Sequence, residues 1–474
     1  MTQTISQKGQ GNPLGYEKLS ALLKGYAIPS IIAMLVSSLY NIVDQIFIGQ
    51  GVGYLGNAAT NVSYPLTTIC LAIALLIGIG SASWFSLELG AGREESAART
   101  VGTAASMMVI LGILYVVVIE TFLTLLLTIF GATKDVMPYA QSYTRITAAG
   151  MPLLILTNGL SNLARADGSP KYSMLCMLVG AMINTILDPI FIFVLHQGVA
   201  GAAVATVAGQ LFSCLMALYY LKKFRHVKLQ RHHFIPRLHV CGKIASLGMS
   251  SSLNQIAITF VQIVLNNSLT YYGAQSAYGS EIPLASCGIV MKTNAILLAV
   301  IIGISQGSQP IIGFNYGAKQ YERVRGVYRL AITWNLVVSG IGFLLFQLFP
   351  RHIISIFGTG EPLYFEFAIR FLRIFLFMVI INGVQLLSSN FFAAIGKPVK
   401  GVILSLTRQV FFLVPLLLIL PLFFGIDGIM FAGPVADFAA FLVTMLLIRR
   451  EMRHMKELQA GLGTEQVQAA EIGR

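Results

Sequence analysis

The residues of this sequence best placed to do chemistry are acids inside long hydrophobic runs. Asp44 lies 20 residues after Lys24, and Asp188 lies 17 after Lys171. On helices rising 1.5 Å per residue they stand roughly 30 and 25 Å from the side on which both runs begin. An ion at the centre of a bilayer costs at least about 2.5–3.5 kcal/mol on insertion scales, so two acids at matched depth imply function. Asn184 precedes Asp188 by four residues and shares its helix face. Thr206, in the next run, falls near the same depth. Two carboxylates, an amide and a hydroxyl suit a site that takes up and releases a proton or a small cation such as Na⁺. Pro189 deprives the Thr185 carbonyl of its helical donor, and Pro29 does the same to Gly25, so both helices have a place to bend.

Other buried charges read differently. Glu120, about 31 Å along its run from Arg99, reaches the membrane surface by snorkelling. Lys292 and Asp437 enter from one side to depths of roughly 12 and 13 Å, and opposite charges at matched depth predict a structural ion pair between them. Arg408, about 12 Å from the other surface, is expected to snorkel. Gly51-x-Gly53-x-x-Gly56 and Gly303-x-Ser305-x-Gly307 copy a dinucleotide and a nucleophile motif, but neither has the strand-to-helix context that gives the motif its mechanics. The sequence holds no HExxH or DDxxD, so it is read as that of a non-enzyme without cofactor. The five cysteines have no paired spacing. His226, His232, His233 and His239 crowd one basic loop and are expected to be solvated rather than to bind metal.

These groups must be held by helices that cross a membrane. The 474 residues are 56% hydrophobic and 11% charged, too few polar residues to cover a soluble globule of this size. Apolar runs near 24–49, 60–89, 99–128, 138–164, 171–195, 199–222, 246–272, 284–315, 324–349, 362–394, 400–424 and 428–450 each exceed the ~20 residues a helical span requires. They lack the alternation of barrel strands, so the chain is expected to be an all-α membrane protein of twelve spans. Gly80-Ser81 recurs as Gly307-Ser308, Gly90-Ala91 as Gly317-Ala318, and Gly198-x-x-Gly201 as Gly425-x-x-Gly428, all 227 residues on. Gly168-x-Pro170 recurs as Gly396-x-Pro398. A shared offset marks a duplication, and six spans per half make the repeats parallel. The expected parts are an N-terminal segment 1–23, an N-lobe 24–222, a basic linker 223–245, a C-lobe 246–450 and a tail 451–474.

Of the 32 Lys and Arg, 25 fall on the side of both termini. Five lie opposite (Lys134, Arg145, Arg351, Arg370, Arg373), and Lys292 and Arg408 remain within spans. This asymmetry accounts for the net charge of +13 without nucleic acid and predicts cytoplasmic termini.

At these residues the chain resembles the multidrug and toxic compound extrusion (MATE) family, and within it the MepA-like bacterial exporters. The resemblance rests on Pro29, on Asn41-Ile-Val-Asp44-Gln-Ile-Phe-Ile-Gly49, on Gly90-Ala91, on Asn184-x-x-x-Asp188-Pro189, on Thr206 and on Gln306 to Ala318. It implies two six-helix bundles about a V-shaped cavity in a bacterial plasma membrane. It further implies a monomer exchanging H⁺ or Na⁺ for amphiphilic, often cationic drugs by alternating access. Asp44, Asn184, Asp188 and Thr206 match the family's cation-coupling residues, and Pro29 its helix-1 hinge. Another branch carries acids in helices 7 and 10, whereas here Ser252-Leu253-Asn254-Gln255 and the stretch from Asn382 to Asn390 hold none. The alternative is a flippase for lipid-linked oligosaccharides, which needs a strongly cationic cavity for pyrophosphate.

Overall fold

In the computed structural model, which describes residues 11–356 and 362–472, every described element is helical. Eleven helices are long and apolar enough to cross a membrane: Leu19–Val52, Leu55–Gly90, Glu94–Ile129, Met137–Ala166, Pro170–Val194, Gly198–Lys223, Leu238–Ala274, Glu281–Gly317, Tyr321–Leu348, Pro398–Phe424 and Ile426–Gly461. These are spans one to nine, eleven and twelve. Span ten is broken into Pro362–Phe375 and Val379–Ala394, which meet at 50°, so the stretch expected as one helix over 362–394 is a bent pair. Two further spans contain wide turns, at Ile190–Val194 after Pro189 and at Thr407–Leu413. The longest spans, at 37 residues, extend about 55 Å, well past a ~30 Å hydrocarbon layer.

The repeated Gly-x-Pro motif is a stop followed by a start. Gly168 and Gly396 adopt φ of 87° and 76°, a region open to glycine. The next amide in each case reaches back five residues, Ser169 N to Ala164 O and Lys397 N to Phe392 O, both at 2.9 Å. This closes one helix, and Pro170 or Pro398 opens the next at a position that needs no amide hydrogen.

The described chain divides into two compact units. One comprises Ile28–Leu89 and Arg93–Ile256, and the rest forms the other. The dividing lines thus run through spans one and seven, not through the expected linker 223–245. Inside the first unit, a Cβ on Gly80 has no room against the carbonyl of Ile244, nor one on Gly248 against Leu76. Inside the other, the backbone of Ala27 comes to 2.6 Å from the place of a Cβ on Gly307. The repeated glycines therefore serve close helix approach in both halves.

The basic segment is bound to the first unit. Phe224 packs edge-on against Phe85, and the fully buried Asp167 accepts from Arg225 N (2.7 Å), His226 N (3.1 Å) and Tyr220 Oη (2.8 Å). The N-terminal segment is also more ordered than its polarity suggests. A short helix, Pro13–Tyr16, precedes span one, and Leu14 O accepts from Asn315 Nδ2 at 2.9 Å and Arg323 Nη2 at 3.0 Å. Residues 1–10 of that expected segment lie outside the described residues. The expected tail is helical, since the last helix continues to Ile472.

Candidate functional site

Span five carries Asn184 and Asp188 one turn apart, and both side chains are buried. Pro189 follows, and the helix widens over Ile190–Val194, where Leu195 N bonds Ile190 O at 2.9 Å. A wide turn next to an intramembrane acid often marks a functional position. Asn184 Nδ2 donates to Asp188 Oδ1 at 3.2 Å and lies 3.3 Å from Thr206 Oγ1 on span six. Asp44 on span one comes within hydrogen-bonding reach of Asp188. All four residues belong to one compact unit. The four residues expected to form a cation site are therefore together.

The acceptors here exceed the donors. Asp44 Oδ1, Asn184 Oδ1 and Asp188 Oδ2 are buried and take part in no hydrogen bond. Leaving such oxygens unpaired in a low dielectric is costly, more so when two belong to carboxylates. A proton or a small hard cation satisfies this donor set, because oxygen ligands from carboxylates and amides are what such ions prefer.

Two tyrosines absent from the sequence reading complete the surroundings. Tyr40 sits one turn before Asp44, and Tyr143 comes from span four; both are near enough to interact electrostatically with both acids. Tyr40 was legible from its spacing, whereas Tyr143 required the packing of spans one and four. Pro29 is not part of this cluster. It lies 15 residues, about 22 Å, before Asp44 in a helix that runs unbroken through it.

Elsewhere the structure corrects three expectations. Asp437 pairs with Arg408, not with Lys292. Arg408 leaves the wide turn of span eleven and is 13% exposed, so it does not snorkel to the surface. Lys292 is exposed and makes no ion pair among the described residues. Third, the histidine loop is not simply solvated. His233 is buried, its Nε2 lies 3.1 Å from Glu95 Oε1, and His232 Nε2 lies 3.2 Å from the same oxygen. These three groups have the proximity of a metal site. However, Gln230 N–H donates to His233 Nδ1 at 3.0 Å, which leaves Nε2 to carry the proton and act as donor to Glu95. Arg99 also pairs with Glu95 at 3.1 Å, so the cluster works as a clasp for the loop. Glu120 is exposed and lies 4.0 Å from Arg145, as a residue near the surface would. The two motif-like stretches are a helix–helix turn at Gly53 and the uninterrupted interior of span eight.

Comparison with known proteins gives the same architecture. The sequence pattern of the family described as MatE matches residues 29–190 and 250–419. Multidrug export protein MepA of Staphylococcus aureus is 26% identical over 425 residues, covering 89% of this chain and 92% of that protein. Its counterpart from Staphylococcus haemolyticus is 25% identical over 443 residues, covering 92% and 95%. Among solved structures, an outward-facing multidrug resistance MATE family transporter of the MOP superfamily superposes with a TM-score of 0.87 at 24% identity, covering 96% of this chain and 99% of that one. A MOP superfamily transporter from Pyrococcus furiosus gives 0.86, also at 24% identity and the same coverage.

Proposed function

Because this chain belongs to the MatE family, we propose that it is a multidrug exporter that expels amphiphilic, often cationic compounds in exchange for H⁺ or Na⁺ at Asp44, Asn184, Asp188 and Thr206. It is a multi-pass membrane transporter, not an enzyme. One observation carries the coupling part of this reading: three buried oxygens without hydrogen bonds, two of them from carboxylates on different spans.

Two unit negative charges 4 Å apart repel by about 4 kcal/mol at an effective dielectric near 20. A proton shared by Asp44 and Asp188, or a cation held by their free oxygens with Asn184 Oδ1, removes that repulsion and draws spans one and five together. Loss of the ion lets them separate. Pro29 and the wide turn after Pro189 are the places where these helices yield. Transport follows if the ion-bound and ion-free forms prefer different arrangements of the protein, since an ion indifferent to the two would drive nothing. The flippase alternative loses support, because one of the two bases within spans, Arg408, is neutralised by Asp437.

Purified protein in liposomes, given a proton or a sodium gradient separately with ethidium as cargo, tests the reading. Asp44→Asn and Asp188→Asn should each keep normal expression and abolish gradient-driven efflux. Full efflux in both variants refutes coupling at this pair. Efflux under neither gradient in the wild type refutes antiport.

A further inference from the structure

With Asp437 neutralised by Arg408, Lys292 is left as a cation within a span and without a hydrogen bond or ion pair among the described residues. It lies 11 residues from Glu281 and 25 from Gly317, the ends of span eight. At about 16 Å from the nearer end it is too deep for its stem to lift the ammonium out at the surface.

What surrounds Lys292 identifies the medium it faces. Its exposed neighbours on the same helix face are Ala285, Gly288 and Ala295, at seven and four residues before it and three after. A side chain added at Gly288 would meet nothing within 4 Å. Other exposed faces of the same unit are different in kind: span nine presents Val337, Ile341, Leu344 and Leu348. Those bulky side chains suit acyl chains. A lysine flanked by alanine and glycine offers lipid little to pack against and strands a charge in it. Water at this face removes both difficulties, and an intramembrane base on a wet face has a functional role by default.

We propose that Lys292 faces the aqueous route through the membrane and binds the carboxylate of zwitterionic amphiphilic cargo. This rests on the exporter reading above and extends its substrate class beyond simple cations. One ammonium with three donors matches one carboxylate, whereas a pyrophosphate or a cluster of phosphates would call for several bases. The face around Lys292 is small and apolar, so the rest of the cargo is recognised without direction and the carboxylate fixes its orientation.

Three cargoes test this in liposomes containing the full chain: norfloxacin, which carries a carboxylate; its methyl ester, which does not; and ethidium. Lys292→Met and Lys292→Gln should each lower the ratio of norfloxacin export to ester export about tenfold or more, the effect of losing one charge-assisted hydrogen bond. Lys292→Arg should largely retain the ratio. An unchanged ratio in both neutral variants overturns the inference. So does a wild type that exports ethidium and the ester but not norfloxacin. If all three cargoes fall together, or if export instead follows the phosphatidylglycerol content of the vesicles, Lys292 serves folding or a lipid headgroup and the inference fails. A wild type that moves none of the three removes the exporter reading first, and this inference with it.

Discussion

Breaking the Arg408–Asp437 pair should destabilise the protein unequally from its two sides. The Asp437 side chain is 2% exposed and that of Arg408 13%, so neither has water to replace its partner. Removing one member of such a pair typically costs about 3–5 kcal/mol, whereas replacing both with apolar residues is close to neutral. The two orphans have different escapes. A carboxyl of ordinary pKa about 3.9 is neutralised at pH 7 for about 4 kcal/mol, since each pH unit is worth about 1.4. A guanidinium, with a pKa above about 12, must give up about 7 kcal/mol or more for the same relief. Asp437→Ala should therefore be the more damaging single change, and Arg408→Met the milder one.

The same arithmetic makes the Arg408→Met defect depend on pH. An orphaned Asp437 must hold a proton when folded but is ionised when exposed, so the cost falls as pH falls. Between pH 7 and pH 5 it should shrink by about 2.7 kcal/mol, while the cost of Asp437→Ala stays constant. The measurement is thermal stability in detergent at both pH values for the two single variants and the double. The double variant should recover most of the loss, giving positive coupling in the cycle. Equal defects in both singles at both pH values, or a double variant as unstable as the worse single, would refute the assignment of this pair as a structural ion pair.

Two further outcomes follow from the charge distribution and the close helix approaches. A cysteine at Gly461 should be labelled only from the cytoplasmic face of intact cells, as 25 of 32 basic residues on that side require; outside labelling reverses the orientation. The same experiment at Gln7 probes a residue outside those the structure describes. Gly80→Val should cut the yield of folded protein, because its Cβ collides with the Ile244 carbonyl and helix backbones yield poorly; the loss should be several kcal/mol, at the severe end for overpacking. Normal yield and melting temperature would mean that spans two and seven are not packed as described.

Depth along a helix was readable from sequence, and direction around it was not. Asp44, Asn184, Asp188 and Thr206 were placed at one level by counting residues, and they met because Asn184 and Asp188 share a face by spacing alone. Lys292 and Asp437 were also placed at one level, and they did not meet. The wide turn at Thr407–Leu413 takes more residues per turn than an ordinary helix, and this changes where Arg408 points. Nothing in local spacing announces it. The histidine loop was misjudged for a related reason: its composition is that of a solvated segment, and only the packed structure shows Asp167 and Glu95 holding it.

The duplication separates what the halves share from what each does alone. Gly80 and Gly307 both admit a neighbouring backbone, and Gly168 and Gly396 both end a helix before a proline. Charges do not follow the repeat. After the first of those turns a buried acid, Asp167, grips Arg225 and His226; after the second, Lys397 and Lys400 grip the buried Glu451 at 2.5 and 2.7 Å. Gln210 of span six stands 227 residues before Asp437, so the second half has an acid and its own Arg408 where the first has a neutral amide. Within the same half as Gln210, Asp44 and Asp188 have no fixed base beside them and must take their positive charge from solution. An acid with a built-in counter-ion has no need to exchange one. On that reasoning ion exchange belongs to the first half, and the second half is free to carry, at Lys292, a charge of the opposite sign.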